Sequence, residues 1–374
     1  MEGGARSGGL PPPWRVPLLV LGFVALFAGV GAGLARLGWT MPPVVASNAA
    51  LHGLLMVSGF FGVVISLERA VAIGRGWAYA APLAAGVATV ATIHDASAAG
   101  AVLYVVASTV LLVGSADIVR RQRELFTLAI AAGAAAWLVG NVLWALGAAM
   151  PVVAPWWLAF LIVTIAGERL ELSRFMPPSP AAQRLFGAVF AAMLAGLVAS
   201  GEAWGAQLFG AALVALAAWL FRHDIARRTV HQQGLTRFIA VCLLSGYVWL
   251  TVGGAVMLLA GGLQQGTPSY DAALHALALG FVFAMVFGHA PIIFPAVLRV
   301  AVPYHPIFYA PLVLLHAGLV LRVAGDAAGQ FEWTRWGAMV SAVALLAFIL
   351  NTVAAVVRGA RQRRKQAPQA SARR

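Results

Sequence analysis

Charge is scarce in this chain: of 374 residues, 10% are Asp, Glu, Lys or Arg, while 61% are hydrophobic. A water-facing globular surface cannot be made from so little polarity, so a soluble domain is excluded. Cysteine is nearly missing as well. Cys242 stands alone, which excludes an intrachain disulfide and a thiolate metal cage. Strand-like alternation is absent, which excludes a membrane barrel and leaves helices as the spanning elements. No connection is long enough to enclose a core of its own, so no soluble domain is inserted. No constellation of acid, base and nucleophile is visible either, so the residues give no argument for enzymatic turnover.

What the chain does contain is apolar runs long enough to cross roughly 30 Å of hydrocarbon as helices. They fall at 16–38, 43–67, 77–94, 98–119, 125–148, 152–172, 181–200, 203–221, 236–262, 269–294, 306–325 and 333–358. The expected fold is all-α, a polytopic membrane bundle of about twelve transmembrane helices, forming a single transmembrane domain over 1–358. The first run follows Arg6 and Arg15 but is too long for a signal peptide and has no small-residue cleavage site after it, so it is expected to be retained.

The net charge of +13 follows topology. Arg69 and Arg75, Arg120, Arg121 and Arg123, Arg169, Arg174 and Arg184, then Arg222, Arg227, Arg228 and Arg237 follow the second, fourth, sixth and eighth runs, while the connections after the third, fifth, seventh and ninth have no Arg or Lys. The positive-inside rule then puts both termini in the cytoplasm. The end of the chain, "RGARQRRKQAPQASARR", is expected to be a basic, disordered cytoplasmic tail over 359–374 that touches anionic lipid. Nucleic acid is not expected as a partner.

Short phrases echo along the chain. "SLERAVAIG" closes the second run with Glu68 and Arg69, and "GERLELSRF" closes the sixth with Glu168 and Arg169. "LHGLLMVSGFF" in the second run, with His52, returns as "LHALALGFVFA" in the tenth, with His275. Second, sixth and tenth are four apart, which suggests a three-fold pseudo-repeat of four helices. Adjacent residues on a helix do not face each other, so Glu68 with Arg169, or Glu168 with Arg69, would pair only if the two runs touch. The alternative is that these charges snorkel separately to water.

His52 lies nine residues into the second run and His275 six into the tenth, about 9 to 14 Å beneath the outer boundary at 1.5 Å per residue. Two neutral imidazoles at matched depth are the usual axial ligands of a low-spin haem. Gly53, Gly59, Gly62 and Gly280 would leave room for a flat macrocycle; alternatively they serve close helix packing, with each histidine bonded to a carbonyl. His289 follows His275 by fourteen residues, on the same face nearer the inner side, and with His316 it is a candidate for a second haem or a copper ion. Against this second site stand unequal depths and a distortion expected at Pro291 and Pro295. His305 is expected at the inner interface, His94 beside Asp95 in an outer loop, and His223 and His231 solvated in a basic loop. Around the connection between the eleventh and twelfth runs, Arg322 and Arg335 lie beside Asp326 and Glu332. Arg322 is therefore a candidate for haem propionates, or else is neutralised by those two acids; Arg36 is a further propionate candidate.

Twelve runs, a histidine on the second, two on the tenth and arginines beyond the eleventh make the chain resemble a reduced relative of the haem-copper oxidase catalytic subunit. That resemblance makes His52 and His275 the axial ligands of a low-spin haem. The sixth and seventh runs, "WWLAFLIVTIAGERL" and "RLFGAVFAAMLAGLVAS", contain no histidine, so a binuclear oxygen-reducing centre is not implied. The stretches "HALALGFVFAMVFGHAPI", "LLHAGLVLRVAG" and "LHGLLMVSGFFG" are more similar to the NnrS family of multi-span membrane proteins associated with haem and copper and linked to the bacterial nitric-oxide response. A fuller early motif of that family, with a further histidine and a glutamate, is missing here. The resemblance implies a bacterial inner-membrane protein with b-type haem, with copper as an additional metal, a gaseous ligand, and a redox partner or respiratory complex. Two other classes compete with it: a secondary transporter, which twelve spans and abundant glycine would suit, and a non-catalytic assembly factor for a respiratory complex.

Overall fold

The computed structural model describes residues 9–172 and 178–371, with side chains as far as 363. Arg6, Arg174 and the end of the basic tail lie outside the described residues. Among those described, every regular element is helical, and twelve helices are long and apolar enough to cross a membrane. The chain is a polytopic helical membrane protein.

Packing divides the chain into two compact units, Met1–Arg174 and Phe175–Arg374, although the sequence marks no boundary there. Each has six spans, so the spacing of four that links the echoed phrases is a relation along the chain. The spans at second, sixth and tenth place are nonetheless the most enclosed of the twelve.

The first unit comprises α1 (Pro12–Arg36), α2 (Ala49–Ile73), α3 (Gly76–Ile93), α4 (Ser97–Arg121), α5 (Leu125–Ala145) and α6 (Met150–Leu172). Successive helices pack side by side, and α2 also touches α4 and α6, which makes it the unit's central helix. Glycines let α1 lie close to α2: Gly22 faces Val63, Gly29 faces Met56, and Gly33 faces His52. The second run was expected to start at 43. Instead Pro43–Ala46 forms a separate helical turn and the continuous helix begins at Ala49. Gly74, in the left-handed region at φ 68°, ends it.

The second unit comprises α7 (Pro180–Val198), α8 (Ala203–His223), α9 (Gly234–Leu259), α10 (Pro268–Leu298), α11 (Pro306–Ala328) and α12 (Phe331–Arg363). Ser179 and Thr267 cap the starts of α7 and α10 by accepting from the backbone N–H groups of Ala182 and Tyr270. Helix α10 continues to Leu298 through Pro291 and Pro295, past the expected end at 294. The last helix runs on to Ser371.

Both histidine-bearing echoes share a departure from regular geometry. Leu55–Phe61 in α2 and Ala276–Phe283 in α10 are wound as π-helix, with hydrogen bonds reaching five residues along the chain. His52 lies just ahead of the first widened stretch and His275 immediately precedes the second. Such turns are rare, and they concentrate where a helix re-aims side chains for a function.

Candidate functional site: the intramembrane histidines

The His52 ring lies against α1. Its Nδ1 is 2.7 Å from the carbonyl oxygen of Gly29. A carbonyl only accepts, so Nδ1 carries the proton and the lone pair belongs to Nε2. Gly33 makes this possible, since a Cβ there would come within 2.7 Å of the ring's Nδ1 and Cε1. Beside the histidine, a Cβ built at Gly53 would meet nothing within 4 Å.

His275 has the same tautomer for a related reason. Its Nδ1 is 2.8 Å from the Asp271 carbonyl oxygen and 3.3 Å from the Asp271 carboxylate. That carboxylate is gripped by Arg322, whose Nε and Nη2 donate to its two oxygens at 2.7 and 2.8 Å. Arg322 is buried, at 7% exposure. Of the two readings for Arg322, neutralisation is the one observed, but by Asp271 rather than by Asp326 or Glu332. Arg335 pairs with Glu332 at 3.4 Å, while Asp326 accepts from Thr334 at 2.9 Å. Close backbone contact of α11 with α12, where a Cβ at Gly337 would come 2.5 Å from Arg322 N, fixes the guanidinium's origin.

Asp271 is the residue that sequence reasoning missed. It lies one helical turn before His275 and was the only signal available: an acid four residues ahead of an intramembrane histidine, on the same face.

Measured along the helices, His52 is about 4.5 Å from the start of α2 and His275 about 10.5 Å from the start of α10, at 1.5 Å per residue. His52 belongs to the first unit and His275 to the second.

His289 repeats the local pattern, with Nδ1 2.7 Å from the Met285 carbonyl oxygen. His316 does not. The indole N–H of Trp249 donates to its Nδ1 at 3.0 Å, so Nε2 carries the proton and donates to Ser245 Oγ at 3.0 Å. His316 thus has the opposite tautomer, with both ring nitrogens engaged. Among the described residues, no group of three or more His, Cys, Asp or Glu side chains is gathered as a metal centre would need.

The remaining candidates separate by exposure. Arg36 is exposed at the end of α1. His305 caps the turn ahead of α11, its Nδ1 accepting from Ile307 N at 3.2 Å. His94 ends α3 beside Asp95, which adopts φ 62°. His231 is exposed as expected, but His223 is half-buried with its ring centroid 4.9 Å from that of Trp219.

Two further polar clusters lie in the first unit. Glu168 pairs with Arg69, one of the cross-pairs expected if the spans touch. Deeper in, Asn141 Oδ1 accepts from Ser58 Oγ at 2.7 Å and from Trp157 Nε1 at 3.1 Å, while its Nδ2 donates to the Tyr104 carbonyl at 3.1 Å. Trp137 Nε1 donates to the same Ser58 hydroxyl at 3.1 Å. This network ties the widened turn of α2 to α4, α5 and α6.

A family model described as a domain of unknown function, DUF8744, matches residues 15–357. No curated protein matches the chain.

Proposed function

The chain belongs to the DUF8744 family, and we propose that it is a membrane protein that binds haem through His52 and His275 and serves electron transfer or the response to nitric oxide. One observation carries this reading. At both histidines a backbone carbonyl accepts from Nδ1–H, which puts the ring's lone pair on Nε2, the atom an iron would bind, and fixes the ring's orientation, as the partners of ligating histidines do in metalloproteins. The donor chemistry fits a haem iron, and the open space beside Gly53 fits a flat ligand at His52.

Haem would supply a one-electron couple and a binding position for a small gas. The chain's own residues hold the imidazoles. Gly29 and Gly33 seat His52 on α1, while Asp271, clamped by Arg322, backs His275. A carboxylate near Nδ1 makes an imidazole a stronger electron donor to a bound metal, and Asp271 is placed to do so for His275. His316 is left out of the ligand set because both of its nitrogens are engaged. The arrangement of arginines supports a cytoplasmic location for both termini.

The test is optical. Full-length protein purified from haem-replete cells is expected to give a sharp reduced band, lost or shifted in His52→Ala and His275→Ala and unchanged in His231→Ala. The spin state of the oxidised protein reports whether one imidazole or two bind the iron, and nitric oxide should alter the reduced spectrum. A folded but colourless preparation would favour a transporter or an assembly factor instead.

A further inference from the structure

The second unit carries a charge imbalance that its own ion pairs do not relieve. Its helices alternate in direction, so the ends of α8, α10 and α12 lie with the starts of α7, α9 and α11. That end holds Arg222, Arg237, Arg299, Arg358, Arg361 and Arg363, and Asp224 is its only acid among the described residues. Asp224 is already engaged, accepting from Ala226 N and from the Tyr247 hydroxyl, each at 2.7 Å. None of these six arginines forms an ion pair among the described residues.

Two donors on α12 point to what is missing. Arg358 Nη2 and Asn351 Nδ2 are both buried and have no hydrogen-bond partner among the described residues. Seven residues apart, they lie within about 20° of each other around the helix and about 10 Å along it. A helical side chain leans toward the N-terminus of its helix, which carries the Arg358 guanidinium back toward Asn351. The two sit on a border. Ala344, Phe348 and Ala355 form the buried face of α12 to one side, and Leu350, Val353 and Val357 form an exposed apolar face to the other. The 299–305 loop closes over the same region. A Cβ at Gly359 would come 2.5 Å from the Ala301 carbonyl oxygen, and the Tyr304 ring lies 6.1 Å from Phe238, next to Arg237.

Leaving a guanidinium and an amide N–H buried without acceptors is costly, and both groups ask for the same partner, an oxygen with negative charge. A phosphate fits the planar fork of arginine and has oxygens to spare for an amide. The exposed apolar face beside the pair would lie against acyl chains, so the phosphate at this border is that of a lipid. We propose that Arg358 and Asn351 hold the phosphate of an anionic phospholipid headgroup at the arginine-rich end of the second unit.

The full chain, purified in mild detergent, is to be assayed by native mass spectrometry and by thermal unfolding with added phosphatidylglycerol, phosphatidylcholine or inorganic phosphate. Phosphatidylglycerol should stay bound through delipidation and raise the melting temperature, and phosphatidylcholine should do neither. Arg358→Gln should weaken retention about tenfold, equivalent to about 1.4 kcal/mol, and Asn351→Ala should weaken it less, while Arg363→Gln should leave it unchanged. Arg358→Lys keeps the charge without the fork; it should fold and still lose most of the binding. Equal retention by wild type and Arg358→Lys would overturn the proposal. So would equal stabilisation by phosphatidylcholine, or by inorganic phosphate alone, which would make the ligand a soluble anion.

Discussion

Gly33 and His52 are matched in shape: the imidazole occupies the volume a side chain on α1 would fill, and an added Cβ would lie 2.7 Å from two ring atoms. Gly33→Ala should therefore push the ring off the Gly29 carbonyl. The expected result is a weakened or broadened haem spectrum, with an overpacking loss of about 1 to 3 kcal/mol in unfolding free energy. Gly53→Ala, where space is open, should change stability little, so the pair of variants separates contact from helix propensity.

The Asp271 clamp makes a second prediction. Asp271→Ala leaves the buried Arg322 guanidinium without its carboxylate, at a cost of about 3 kcal/mol. Asp271→Asn keeps the shape and removes the charge behind His275, so it should raise the haem midpoint potential more than it lowers the melting temperature. A redox titration of the two variants alongside wild type checks this. Parallel loss of both properties would mean Asp271 matters only for folding.

Asn141 accepts two hydrogen bonds and donates one at a site with no solvent exposure. Asn141→Leu takes the acceptor from the Ser58 hydroxyl and the Trp157 indole N–H together, each worth about 1 to 3 kcal/mol when buried unmet, while the Tyr104 carbonyl keeps the Ser108 hydroxyl. A fall of at least about 2 kcal/mol is expected in denaturant unfolding, without loss of expression in the membrane.

For Arg69 and Glu168 the useful experiment is a double-mutant cycle. Arg69→Gln and Glu168→Gln should each destabilise the first unit, and the double variant should lose less than the sum. A coupling energy of about 1 to 3 kcal/mol is expected for a contacting, half-buried pair. An additive result would mean the two charges act independently.

Much of the fold is legible in the amino-acid order because lipid leaves few choices. Twelve apolar runs of the right length can only be helices, and their ends agree with the observed spans to within a few residues at most positions. The start of the second span escaped this logic. Pro42 and Pro43 look apolar in a hydropathy window, yet they set up a separate turn that composition does not register. The Arg69 and Glu168 pairing was readable because adjacent residues cannot pair, which left the neighbouring span as the partner. The role of Asp271 was not, since a carboxylate near a helix start looks like an ordinary interfacial charge until α11 brings Arg322 against it. The tautomers of His52 and His316 differ only through partners far away in the chain, Gly29 and Trp249, so no local pattern distinguishes them.

A π-helical stretch is what a regular helix becomes when it absorbs one surplus residue without moving its ends. Deleting a single residue between 55 and 61, or between 276 and 283, would restore the tighter winding and leave the turns on either side where they are. A deletion in a regular part of either helix would instead swing everything on one side of the cut by about 100°, and the histidine would face a new direction while the helix itself survived. These two short segments are therefore where each helix is most free to lose a residue without re-aiming its histidine.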